Sequence, residues 1–200
     1  MANKNQELHG SAPDKYPVAV LLIDVINGFD FPEAEQLLRY AKPMAERIAE
    51  LKRQAGRHDV PVVYVNDNFG RWRSDFSAQV NHCLRPDNPG RDVVELLRPD
   101  EDDYFVLKPK HSGFYSSTLD ILLKYLGVET VVLTGVAANI CVLFTANDAY
   151  MRDLHLVVPA DCVASNTREE NDYALEQMKR VLKANVRPLS ELLLPTLLRG

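Results

Sequence analysis

Two kinds of hydrophobic pattern alternate along the chain. Short unbroken apolar runs come first in each pair: Val18-Ala-Val-Leu-Leu-Ile23, Val60-Pro-Val-Val-Tyr-Val65, Tyr104-Phe-Val-Leu107, Thr130-Val-Val-Leu133 and Leu154-His-Leu-Val-Val158. Runs of this length without polar interruption predict strands covered on both faces. Ala184-Asn-Val186 reads as a short last strand. Between the runs the apolar positions recur at helical spacing. Leu37, Leu38, Ala41, Met44, Ala45, Ile48 and Leu51 predict a helix over 33–54, with Pro43 expected to kink or break it and Gly56 to cap its end. Ser116 or Ser117 opens a helix through Leu119, Ile121, Leu122 and Leu126. Asn139 is the expected N-cap of a helix over 139–151, a further helix runs from Arg168 to Leu182, and Ser190 opens a terminal one. The stretch 70–90 predicts a long irregular loop, of the kind that serves function or an interface.

Strands alternating with amphipathic helices mean βαβ units. The expected class is α/β: a parallel sheet between two layers of helices, with right-handed crossovers. Residues 1–15 are polar and contain Gly10 and Pro13, which predicts a loose arm; residues 16–200 make one domain.

Composition narrows the partners. The net charge is −5 and no basic block interrupts the chain, which argues against nucleic acid and against anionic membranes. No apolar run approaches a membrane span, and the first residues lack the apolar core of a secretory signal. Three cysteines without a CxxC pair suit a reducing compartment, and neither a disulfide framework nor a zinc site. The expectation is a cytoplasmic protein acting on a small molecule.

The reactive side chains cluster by topology. Asp24 ends the first strand, Lys108 ends the third, and Cys141 follows the fourth at the start of a helix. Parallel strands share their carboxyl ends, where ligands bind in open α/β sheets, so all three belong at one rim. The helix start and the lysine are expected to favour a thiolate, and the aspartate can take and return a proton. Singly, each has a plainer reading: cysteine is most often a small buried hydrophobe, and acidic residues commonly end strands. The combination of thiol, ammonium and carboxylate is what points to nucleophilic catalysis. Cys83 and Cys162 lack such surroundings and read as structural.

The segments that carry these residues resemble the isochorismatase-like cysteine hydrolases, a family that includes nicotinamidases, N-carbamoylsarcosine amidohydrolases, ureidoacrylate hydrolases and isochorismatases. The matching stretches are Leu22-Ile-Asp-Val-Ile-Asn-Gly-Phe29, Leu107-Lys-Pro-Lys-His-Ser-Gly-Phe114, Gly135-Val-Ala-Ala-Asn-Ile-Cys-Val142 with Thr145-Ala-Asn-Asp-Ala149, and Val158-Pro-Ala-Asp-Cys-Val-Ala-Ser165. The resemblance covers about residues 16–190 in order. It implies a six-stranded sheet of order 3-2-1-4-5-6 and a catalytic triad of Asp24, Lys108 and Cys141, with Lys110 a rival for the lysine at the wrong spacing. It implies a cis peptide between Val136 and Ala137, and an oxyanion hole from the Ala137 and Cys141 amides. Phe29, Phe31, Trp72 and Phe114 are the candidate pocket residues, although each could equally serve a core or an interface. Arg71 and Arg73 could meet a substrate carboxylate. Nicotinamidases of the family carry an Asp-x-His metal motif after the second strand; here that place reads Asp67-Asn68-Phe69, so no metal and no cofactor is expected. His58 and His82 lie outside that place. The long loop with Trp72 suggests a homo-oligomer, a dimer or tetramer.

The expected activity is hydrolysis of a C–N bond in a small amide or carbamoyl compound through an acyl-enzyme thioester. The alternatives are vinyl-ether hydrolysis, which members lacking the cysteine favour, and a catalytically silent binding protein of the same fold. A different class also has Lys-Pro at a strand end, the phospho-receiver switches. These need an acidic pair after the first strand, where only Asp24 stands, and end soon after the Lys-Pro, whereas this chain continues to residue 200.

Overall fold

The computed structural model describes residues 15–68, 75–192 and 194–197. The elements run β1 (Val18–Ile23), α1 (Ala34–Arg57), β2 (Val62–Asp67), α2 (Phe76–Cys83), α3 (Arg91–Leu96), β3 (Tyr104–Lys108), α4 (Leu119–Leu126), β4 (Thr130–Val136), α5 (Leu143–Tyr150), β5 (His155–Val157), β6 (Val163–Ala164), α6 (Arg168–Val181) and α7 (Leu194–Leu197). A π-helical turn, Ala138–Val142, leads into α5.

The sheet is parallel throughout, in the order β3-β2-β1-β4-β5. Alternation along β1 divides the core in two. Val18, Val20 and Leu22 pack with buried residues of α1, α2 and α3, while Ala19, Leu21 and Ile23 pack with those of α4, α5 and α6. Every residue of β1 is buried, as a central strand covered by helices on both faces requires. The result is an α-β-α layering, as the sequence resemblance implies. No described helix is long and apolar enough to cross a membrane.

The edge beyond β4 differs in detail from the pattern in the sequence. The sixth strand is the two-residue β6, which pairs with Gly135 and Val136 at the end of β4, past the point where the short β5 stops. The segment around Ala184–Val186 joins the sheet through a single bridge from Asn185 to Val157. Helix α1 runs unbroken through Pro43. Pro43 is on the exposed side, and the buried stripe Leu37, Ala41, Met44, Ala45, Ile48 and Leu51 holds the helix on both sides of it. Tertiary packing thus outweighs one missing hydrogen bond. Gly56 lies inside the helix; the chain reverses at Asp59, with φ 52°. Two helices, α2 and α3, occupy or adjoin the stretch read as loop. Asp75 caps α2 by accepting from Ala78 N at 2.6 Å, a start signal that was present but followed by too short an apolar repeat.

One glycine fixes how β4 meets β1. Gly135 pairs with Ile23 and has φ 106°, and a Cβ there would stand 2.0 Å from the Ile23 carbonyl oxygen. Only a residue without a side chain allows the two strand ends to approach. Gly135→Ala is expected to cost about 3 kcal/mol or more, from the backbone conformation and the clash together. A thermal unfolding midpoint within a degree of the parent would contradict this account.

Candidate active site

The carboxyl ends of four neighbouring strands converge. Asp24 follows β1 in a left-handed conformation, φ 51°, which Asp tolerates better than most residues. Its main-chain N–H donates to Val65 at 3.1 Å, and its Oδ1 accepts from the Asp67 N–H at 2.7 Å. The carboxylate is therefore anchored to the tip of β2. The fully buried Asn66 side chain accepts from Ile26 N at 3.1 Å and donates to Ile26 O at 2.8 Å. That pair of bonds fixes the chain leaving Asp24.

Lys108, the last residue of β3, is completely buried. Its Nζ lies 2.9 Å from Asp24 Oδ2 and 3.5 Å from Asp67 Oδ2, donates to the Lys110 carbonyl at 3.2 Å, and is 3.6 Å from Cys141 Sγ. Lys110 thus contributes its backbone, not its ammonium. Burial alone would pull the Lys108 ammonium down; the negative charge of Asp24, and of Cys141 when ionised, outweighs it and holds the group above the ordinary lysine value. Asp24 is raised by burial, against the lowering pull of Lys108.

Cys141 sits in the π-helical turn, not behind an Asn139 cap. The turn is capped at Ala137, and Asn139 is inside it. The Ile140 and Val142 N–H groups return to the Ala137 carbonyl, and that of Asn139 donates to Ser165 Oγ at 3.3 Å. The peptide between Val136 and Ala137 is cis. The expected lowering of the thiol does not hold in the resting site. Burial first, and then the Asp24 carboxylate, push the Cys141 thiol above the usual range, with Lys108 only partly offsetting them. Cys83 and Cys162 are buried and their thiols are raised as well, that of Cys83 to about 11. What sets Cys141 apart is its company, not its acidity.

A residue missed in the sequence also stands here. His111 Nδ1 is 3.8 Å from Cys141 Sγ, and the ring packs on Phe144 with centroids 5.5 Å apart. The signal was its place three residues after Lys108, on the loop that turns back over the strand end. That loop is tied to the turn that carries Cys141. Ser112 Oγ donates to Asp148, Gly113 N donates to Thr145 Oγ1 at 2.9 Å, and Thr145 Oγ1 donates to the Cys141 carbonyl at 2.7 Å.

Of the aromatic residues read as pocket candidates, Phe29 and Phe114 are placed in the core. Phe29 stacks on the half-exposed Phe31 with centroids 6.4 Å apart, and the Arg152 guanidinium lies 4.6 Å over the Phe114 ring. Trp72, Arg71 and Arg73 lie outside the described residues. Among the described residues no three His, Cys, Asp or Glu side chains gather as a metal would need. A cleft of about 620 Å³ opens between α1 and the start of α6, and none of Asp24, Lys108 and Cys141 lines it.

Residues 18–189 match the isochorismatase domain. The chain belongs to the isochorismatase family and is a hydrolase of that family. It is 41% identical over 168 residues to the uncharacterized isochorismatase family protein YaaI of Bacillus subtilis, covering 84% of this chain and 92% of that one. Among solved structures it is similar to an isochorismatase-like hydrolase from Alkaliphilus metalliredigens (30% identity, TM-score 0.68, 87% of this chain and 95% of that chain). It is also similar to N-carbamoylsarcosine amidase from Thermoplasma acidophilum (30% identity, TM-score 0.62, 88% and 98%).

The opposed influences on Cys141 give a testable sign. Replacing Asp24 by Asn removes the charge that raises the thiol and leaves the Lys108 ammonium beside it, so the thiol becomes more acidic. Alkylation of Cys141 by iodoacetamide at pH 7 is expected to speed up several-fold, while any hydrolysis that uses Asp24 as proton acceptor falls. Alkylation at the parent rate or slower would contradict the assignment of charges.

Proposed function

We propose that the protein hydrolyses a C–N bond of a small amide or carbamoyl compound by covalent catalysis at Cys141. The observation that carries this reading is the contact of the Cys141 sulfur with a fully buried ammonium that is itself paired to Asp24. Burying a cation and a carboxylate costs several kcal/mol per ion before pairing, which is poorly repaid as mere structural support. The likeness to N-carbamoylsarcosine amidase supports an amide or carbamoyl carbon as the target.

In this reading Asp24 accepts the thiol proton as the sulfur attacks the substrate carbonyl. The Lys108 ammonium contacts both the Asp24 carboxylate and the sulfur, so proton acceptor and donor are held around one cation. Lys108 stays protonated and stabilises both anions. The oxygen of the tetrahedral intermediate accepts from the Ala137 and Cys141 N–H groups. The C–N bond breaks as Asp24 returns its proton to the leaving nitrogen, giving an amine or ammonia and an acyl thioester on Cys141. Water then attacks the thioester and releases the acid and the thiol. Generating the thiolate only as Asp24 takes its proton fits a thiol that is raised at rest: the nucleophile is made on demand and not stored.

The test is to incubate the protein with a panel of small amides and carbamoyl compounds and weigh the intact chain by mass spectrometry. The expected result is an acyl adduct on Cys141 with productive compounds, and at least about a thousandfold loss of turnover in Cys141→Ala. A productive compound that Cys141→Ala turns over at the parental rate would end the covalent reading.

A further inference from the structure

Acylation and deacylation ask different things of their bases, and the site offers two. The first step needs a base in contact with the thiol. The second needs a base that water can reach, beside the acyl carbon carried by the sulfur. Asp24 suits the first. It is 5% exposed, its Oδ1 is held by the Asp67 N–H and its Oδ2 by Lys108. His111 suits the second. It is exposed, and its Nδ1 stands 3.8 Å from Cys141 Sγ, while the completely buried Lys108 contacts the same sulfur from the interior.

A lone surface histidine is more often solvated than functional, so the position needs support beyond proximity. Two features supply it. The ring packs on Phe144 from α5, one turn after the cysteine. The loop that carries it is fastened to the nucleophile turn through Gly113, Thr145 and the Cys141 carbonyl, so histidine and sulfur are positioned by the same hydrogen bonds. A separation of 3.8 Å is long for a hydrogen bond, but catalytic contacts are often long before a substrate is bound.

We propose that His111 is a catalytic residue of the second half-reaction, the base that activates water against the Cys141 thioester. This rests on the covalent hydrolase reading above. The water oxygen bonds to the thioester carbon as one water proton passes to the unprotonated Nδ1. The tetrahedral intermediate then collapses, the carbon–sulfur bond breaks, and the same proton passes from Nδ1 to the departing sulfur. The carboxylic acid leaves, the imidazole is neutral again, and the thiol is restored. Asp24 serves acylation and His111 serves deacylation, so the two proton transfers at one sulfur use different bases.

The probe is p-nitrophenyl acetate, whose leaving group needs no proton and whose acetyl group reports directly on Cys141. His111→Phe keeps an aromatic ring against Phe144 and removes both nitrogens; His111→Gln keeps a polar group and removes the base. Both are expected to release the first equivalent of p-nitrophenolate at the parental rate. Both then turn over about a hundredfold more slowly, with acetyl-Cys141 accumulating in the mass spectrum. Hydroxylamine, a nucleophile strong enough to need no base, is expected to restore their turnover far more than it speeds the parent. Steady-state turnover unchanged in both variants, with the parent acetylating normally, overturns the role of His111 alone. A first turnover slowed as much as the later ones does the same, because His111 would then serve acylation or structure. Release of p-nitrophenolate by the variants with no acetyl-Cys141 formed overturns the covalent reading and this assignment with it.

Discussion

A single buried cation organises this molecule's working end. The Lys108 ammonium has no access to water, and an unpaired charge in such surroundings would cost more than the fold's whole margin of stability. It is tolerated because the ends of neighbouring strands deliver its partners: Asp24 from β1, Asp67 from β2, and the Lys110 carbonyl from its own loop. Cys141, beyond β4, completes the group. Each of those partners depends on the parallel arrangement that brings strand ends to one level, and the registers of β1 with β2 and β4 set that level. The chemistry and the topology are therefore one constraint viewed from two scales.

The same charges explain why acidity alone is a poor guide here. All three cysteines have raised thiols, and burial is the first cause in each. Cys83 packs in the core and Cys162 meets the Asp161 carboxylate at 3.9 Å, whereas the sulfur of Cys141 contacts a fully buried ammonium. A thiol that is protonated at rest is also less exposed to oxidation and stray alkylation, which proceed through the thiolate.

The parallel sheet, the layering and the meeting of Asp24, Lys108 and Cys141 at one rim were legible in the sequence because each rests on a strong local signal. Unbroken apolar runs end in Asp24, Lys108 and the cysteine turn, and parallel topology does the rest. What was illegible depends on tertiary contacts. Pro43 reads as a break and is overridden by the buried stripe around it. Asn139 reads as a cap and lies within a π-helical turn. Phe29 and Phe114 read equally as pocket or core, since an aromatic residue carries no mark of which it serves. His111 carries no mark in the sequence, since a histidine in a polar loop has no period; only the fold of the loop back over the β3 end sets it beside sulfur.

The spatial order of the strands has a consequence for how the molecule comes into being. Read across the sheet, β3, β2, β1 and β4 carry the site, and β4 is the last of them to leave the ribosome. A nascent chain that has made β1 to β3 already holds the lysine and both aspartates, but β1 then has one side open and no cover from β4. Closing that side brings Gly135 against Ile23 and the sulfur against the ammonium in the same event. Synthesis and assembly of the site are thus coupled: the sulfur cannot meet the ammonium before the central strand is sealed.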